Sequence, residues 1–405
     1  MRPLIPIVIV TALACQTDDT LPGDTGAPVR DSAGIRIIEN SPPPGGSRLP
    51  WRIGTEPAVT IGRADGDEPY LLYIVRDALR LADGRIVVLN AGTQELRVFD
   101  GDGTHVATWG GRGDGPGEFR SLVAIEPWRG DSIAAWYGPR RGVTVLDADG
   151  NFGRNIVFER DENSPPGMPF NPKSMGRDGA ILVSHEPHMY ETVEVQIRGP
   201  EGRIVASLGT HPGDERYIAN EGTDRSIMYS TPFGAHAAQE AWGDLFVQAS
   251  TGRYEIRAYA GDGALARIVR LGVAPRVPTQ AHIDTYIDRQ LSWIPPEIPA
   301  TEVEQYLTRQ RRAWEEVPVA EFLPAFNSLI ADRVDHLWVE EFEPPGEERP
   351  GSLWTVLDPE GWVIGVIETP DGLEIYEIGV DYVLGHTRDE LGVEYVQVWS
   401  LERQD

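Results

Sequence analysis

Cysteine is almost absent: the 405-residue chain has one, Cys15. No internal disulfide can form, and no cysteine nucleophile is available beyond the N-terminal segment. Basic residues are scarce as well, 36 Lys and Arg against 63 Asp and Glu, for a formal net charge of −27. A field of that sign favours solubility and disfavours nucleic acid and anionic membrane surfaces. Past the N-terminus there is no run of about 20 apolar residues, so no transmembrane helix is expected. No G-x-S-x-G elbow occurs, which removes that hydrolase signature. Carboxylates are abundant, but no spacing pairs two of them across a cleft.

Glycine, by contrast, is plentiful. The stretch "GGRGDGPGEF", Gly110 to Phe119, invites a phosphate-binding reading. It fails the dinucleotide fingerprint in both registers, with Pro116 or Glu118 where the third glycine belongs. It has no lysine for a P-loop, and Asp114 and Glu118 would repel an anion. Arg112-Gly113-Asp114 spells an adhesion tripeptide, but three letters recur by chance.

The stretch repeats instead. "GRADGDEPY" (62–70), "GRGDGPGEF" (111–119), "GTHPGDERY" (209–217) and "ETPDGLEIY" (368–376) each pair a glycine-bearing acidic turn with a closing aromatic. A worn copy, "RDENSPPGMPF", stands near 160. Periods of about 40–50 residues mark propellers or helical arrays, and the β-prone text between turns selects the propeller. Inside each period lies a hairpin with Asp, Glu or Pro before glycine at its turn, as in "LRVFDGDGTHVATWG" from Leu96 and "VTVLDADGNFGRNIVF" from Val143. A strand candidate such as "GRIVVLN" or "GAILVSH" precedes it, and the strand after the glycine turn makes four. The count is six blades. The last begins after Tyr376 and lacks its final strand; "PAVTIG", ahead of the first glycine turn, is expected to supply it and close the ring. The glycine turns then link one blade's outer strand to the next blade's inner strand, where positive φ is tolerated, and their aromatics pack between blades.

The β pattern stops between Val277 and about Pro324. Ile283, Tyr286, Ile287, Leu291 and Ile294 fall near one helical face, ended by Pro295 and Pro296. A second helix is expected from Thr301 and Glu304, at capping-box spacing, with Val303, Tyr306, Leu307 and Trp314 inward. This insertion, about residues 278–324, falls between blades four and five, as a packed decoration or as a lid or docking element. Arg309, Arg311 and Arg312 form the basic cluster of the chain, a solvated face or a seat for an anion.

The fold class is therefore all-β: a six-bladed β-propeller over residues 34–405, closed by an N-terminal strand. Ahead of it, "MRPLIPIVIVTALAC" resembles a bacterial lipoprotein signal peptide (1–15), which implies lipidation at Cys15; ordinary secretion is the alternative. Residues 16–33 read as a disordered tether. His185 and His188 form H-x-x-H, short of a zinc ligand set. "DGDG" (100–103) and "DADG" (147–150) lack the other ligands of a calcium loop and are explained as hairpin turns.

On "DSAGIRIIENSPP", "LADGRIVVLN", "GRGDGPGEF", "LWV" (337–339) and "DELGVEYVQVW", the chain resembles bacterial six-bladed β-propeller lipoproteins with NHL-like repeats. The resemblance implies an extracytoplasmic place in the cell envelope, periplasm or outer membrane, and assigns no catalytic residue. The expected role is binding or scaffolding for an unidentified protein, peptide or carbohydrate, touching membrane through the lipid anchor only and no nucleic acid. No cofactor and no metal are expected. The alternative is a metal-dependent hydrolase or lactonase with its site in the central channel.

Overall fold

The computed structural model describes residues 29–44, 47–137, 142–160, 170–185, 192–224 and 226–404. The signal-like segment with Cys15, the tether up to residue 28, the worn repeat at 161–169 and His188 lie outside these residues.

Six blades, each built on consecutive antiparallel strands, form a propeller. Blade one is Val75–Arg80, Ile86–Asn90, Glu95–Phe99 and His105–Gly110, from the axis outward. Blade two is Leu122–Trp128, Ser132–Tyr137, Gly142–Leu146 and Phe152–Val157; blade three is Asn171–Met175, Ile181–His185, Thr192–Arg198 and Ile204–Pro212. Blade four follows with Ala237–Trp242, Leu245–Ser250, Glu255–Ala260 and Leu265–Leu271, and blade five with Leu329–Ala331, Leu337–Glu340, Leu353–Leu357 and Val363–Glu368. Blade six has Glu374–Ile378, Tyr382–Arg388 and Glu394–Glu402; its inner strand thus contains Tyr376 rather than starting after it. The outer strand of blade six pairs antiparallel with Val59–Ile61 and with Arg52–Ile53.

Each blade is sandwiched between two others, so its middle strands bury both faces. Ile86–Asn90, Gly142–Leu146 and Ile181–His185 are buried at every position. That is why their text is continuously apolar, whereas the outer strands His105–Gly110 and Ile204–Pro212 alternate. Among the described residues the core divides into six apolar clusters, one at each junction between blades. The junction of blades six and one includes Ile61, Val75, Phe99, Leu384 and Val396.

The glycine stretch is a link of this ring. Gly110, Gly111 and Gly117 have positive φ, and a Cβ on Gly110 would lie 2.7 Å from the Phe119 ring. Phe119 is fully buried between blades one and two. Gln94 holds both ends: its carbonyl accepts from Gly111 N (3.1 Å) and its side-chain oxygen from Leu122 N (2.7 Å). The third copy departs from this scheme, since Tyr217 sits in a two-stranded hairpin, Arg216–Ala219 with Ile227–Ser230, inserted between blades three and four. The hairpin aspartates accept N–H groups two and four residues on: Asp100 from Asp102 and Thr104, and Asp147 from Asp149 and Asn151. Their carboxylates close turns.

The N-terminal segment does more than the sequence suggests. Val29–Ser32, expected in the tether, pairs with Ile35–Asn40, which runs parallel to Leu265–Leu271 and widens blade four. The chain then meets the outer strand of blade five, where Leu49 N donates to Val366 O (2.8 Å), before reaching blade six. It is a belt over the rims of three blades. Asn40 clamps it: Nδ2 donates to Gly361 O (3.0 Å), and Oδ1 accepts from Val363 N (3.0 Å).

Two helices, α1 (Gln280–Ser292) and α2 (Val303–Glu315), lie in the chain between blades four and five. The capping box is on α1, where Thr279 Oγ1 accepts from His282 N and His282 Nδ1 accepts from Thr279 N. It is not at Thr301 and Glu304: Glu302 caps α2 without a side-chain bond, because residues 299–302 are closed by their own turn, Glu302 N to Pro299 O (2.8 Å). Trp314 packs edge-on against Tyr286 (5.8 Å) and Tyr229 (5.1 Å), and Phe233 against Tyr286 (5.3 Å) and Phe342 (6.4 Å). These contacts bind helices, hairpin and the blade-five loop into one cap. Among the described residues no helix is long and apolar enough to cross a membrane.

Candidate functional site

The six inner strands surround a channel that holds a cavity of about 200 Å³. Five blades present a polar side chain there: Asp77, Glu126, Ser174, Glu240 and Glu377. Blade five presents apolar Ile330, and Arg333, just past its inner strand, donates to Glu377 Oε2 (2.9 Å).

The carboxylates are engaged by backbone. Asp77 accepts from Ile125 N (2.9 Å), Glu126 from Met175 N (2.9 Å) and Glu377 from Arg80 N (3.3 Å), each reaching the next blade's inner strand. Glu240 accepts from Ala241 N (2.9 Å) and from Ser174 Oγ (2.7 Å). Burial pushes Asp77 up to about 8 and Glu240 up to about 7, against the opposing effect of those hydrogen bonds. Glu126 is raised well above the carboxylate range, first by burial, then by the charges of Glu240 and Asp77. The ring therefore holds protons near neutrality and latches blades together. Among the described residues, no three His, Cys, Asp or Glu side chains come together in a way that could hold a metal ion. His185 is buried in blade three with its ring 5.7 Å from Phe170.

The larger hollow lies off the axis. On the face where the chain crosses between blades, a cleft of about 760 Å³ opens between blades four and five. Its apolar walls include Pro42 and Pro43 of the belt, Val273, Phe322, Leu323 and Phe342. The belt, the segment after blade four and the end of the helical insertion thus meet there. Three polar groups sit deep. Tyr254, just ahead of the third strand of blade four, is 6% exposed, and its hydroxyl is shut off from solvent beside Thr355. Across from it, Thr355 Oγ1 donates to Glu341 Oε1 (2.6 Å). Burial raises Glu341, against that bond and the nearby Arg349 charge. Burial and the Glu341 charge keep the Tyr254 phenol protonated.

The arginines of the cleft fall into two groups. Arg270 pairs with Glu39 (3.0 Å) and Glu255 (2.8 Å), and Arg276 with Glu347 (2.9 Å). Arg253 and Arg349 also line the cleft, and among the described residues neither has an ion-pair partner. The basic cluster of α2 is elsewhere and splayed: Arg311 pairs with Asp288 of α1, and Arg309 lies over Tyr306 (5.9 Å). Sequence reasoning missed the cleft, because its walls come from segments more than 300 residues apart, such as Pro42 and Val366.

A family model described as a 6-bladed beta-propeller (DUF5128) matches residues 71–126, which span blade one and most of the inner strand of blade two. No curated protein matches. A solved structure of a member of the DUF4221 family from Bacteroides vulgatus is 10% identical, with a TM-score of 0.52, covering 87% of this chain and 99% of that one. The calcium-binding protein regucalcin from Agrobacterium tumefaciens is 10% identical (TM-score 0.40; 83% and 94% covered). Virginiamycin B lyase from Staphylococcus aureus is 8% identical (TM-score 0.39; 87% and 99% covered). The DUF4221 likeness bears on fold alone.

Proposed function

We propose that this six-bladed propeller is an exported, lipid-anchored binding module that takes a small, apolar-bodied ligand in the cleft between blades four and five. The observation that carries the reading is the cleft itself. Its volume, about 760 Å³, falls within the range of small-molecule sites, and a few polar groups converge in largely apolar walls. Export and anchoring rest on the segment ending at Cys15.

The hydrolase alternative draws no support from the channel, where the carboxylates are committed to neighbouring N–H groups and to Arg333. It keeps a clear signature: a stoichiometric divalent ion in the purified protein, with a chelator-sensitive melting temperature.

The binding reading is tested by thermal unfolding against a panel of aliphatic and aromatic compounds, since a ligand that binds the folded state raises Tm. Val273 is 41% exposed on the cleft wall, so Val273→Trp is expected to fill the cleft without disturbing the core. Wild-type Tm should rise with ligand, and the Val273→Trp variant should melt normally but not respond. A response that survives Val273→Trp puts the site elsewhere.

A further inference from the structure

We propose that the helical insertion is a hinged lid over the cleft, latched to blade five through Glu347. This rests on the binding reading above and adds how the cleft is opened.

The first argument is attachment. The entry and exit of the insertion meet where Leu323 N donates to Arg276 O (2.7 Å), so α1 and α2 leave the ring and return as one closed loop. Toward the hairpin between blades three and four, the helices are held by rings, Trp314 on Tyr229 and Tyr286 on Phe233. Toward blade five they are held by charge. Glu347 lies in the loop between the second and third strands of that blade. It accepts from His282 Nε2 of α1 (3.0 Å) and from Arg276 Nη2 (2.9 Å), and Glu348 beside it pairs with Arg289 of α1. The Arg276 hydrogen bond holds Glu347 below the usual carboxylate range, so this seat is charged at neutral pH.

The second argument is strength. Among the described residues, α1 buries only His282 and Ile287, and α2 buries none. Arg276, Arg289, Glu347 and Glu348 are each about half exposed. Ion pairs that exposed hold weakly, and a unit with few buried apolar side chains opens well before the whole fold does. His282 couples latch to helix: Nδ1 accepts from Thr279 N in the capping box while Nε2 meets Glu347, so losing the latch loosens the first turn of α1. The third argument is position. Phe342 and Arg349 flank the latch residues, Arg276 and Leu323 form the hinge, and all four line the cleft. Helices released from blade five therefore free one wall of it.

The experiment follows amide hydrogen exchange and the entry of a neutral apolar dye, Nile red, in the full chain carrying Cys15→Ser. Glu347→Gln is the unlatched variant, and Glu360→Gln, in the outer hairpin of blade five, is the control. Residues 280–315 are expected to exchange ahead of the blade strands. Glu347→Gln should quicken their exchange about fivefold, the weight of one exposed ion pair, and leave the blades unchanged. Nile red should enter that variant about fivefold faster, in step with the open fraction. Glu360→Gln should do neither. Helices that exchange only together with the blades, or that ignore Glu347→Gln, overturn the hinge and its latch. Faster exchange with unchanged dye entry overturns the lid and leaves the insertion a decoration. Absence of Nile red binding overturns the apolar-cleft reading beneath the proposal, and the gating with it.

Discussion

Asp77, Glu126 and Glu240 carry the residue-scale lesson. Each carboxyl lies in the channel wall and accepts a main-chain N–H, so it acts first as a structural part. Its environment nevertheless makes it a proton holder close to neutral pH. Unfolded carboxyls titrate near 4, whereas folded Asp77 titrates at about 8 and Glu240 at about 7. A carboxyl raised by folding stabilises the fold while protonated. Its contribution is complete below about pH 4 and is lost as the pH rises through the folded value. Tm is therefore expected to fall between about pH 4 and 8, and Asp77→Asn to flatten that fall. A wild-type Tm that is constant or rises across this window contradicts the assignment. Asp332 acts in the opposite sense: burial opposes its charge, but His336, Arg403 and Trp338 hold it below the carboxylate range, so its effect is confined to acid.

At the scale of elements, regular strands were legible and irregular attachments were not. The hairpin "LDADGN" reads as a turn because Asp147 closes it through two N–H bonds within four residues. The same turn needs glycine at 150, where φ is +79° and a Cβ would fall 2.2 Å from the Trp109 ring of blade one. The belt strand Ile35–Asn40 carries no such local mark, because its partners are Leu265–Leu271 and a buried clamp at Asn40. Asn40→Ala orphans the Gly361 carbonyl and the Val363 N–H. It is expected to cost about 2 kcal/mol in urea unfolding. A loss under about 0.5 kcal/mol would mean that the belt is held by its main chain alone.

For the whole molecule, the belt matters as edge protection. Leu265–Leu271 would otherwise present a row of open hydrogen-bonding groups to other chains. Deleting Val29–Asn40 uncovers that edge and the apolar surface of Val269 and Leu271 beneath Ile38. Size-exclusion chromatography with light scattering should then find association at concentrations where the intact chain is monodisperse. A deletion variant as monodisperse as the parent would assign the belt to the cleft and not to solubility. The same deletion leaves Pro42 and Pro43 unanchored, so ligand binding should weaken with it.

The sequence alone determined the repeat: acidic glycine turns, doubly buried middle strands and linking aromatics recur because each is specified within a few residues of itself. From these the six-bladed all-β architecture follows, and so does the structural role of "GGRGDGPGEF". Tertiary structure alone decided which carboxyls face the axis, where the belt runs and where a ligand can sit. Asn40 and Gly361 meet across 321 residues, and the charge of Glu341 acts on Tyr254 across the junction of two blades. Side chains brought together over such distances leave no spacing in the sequence, because closing the ring, and not the local pattern, makes them neighbours.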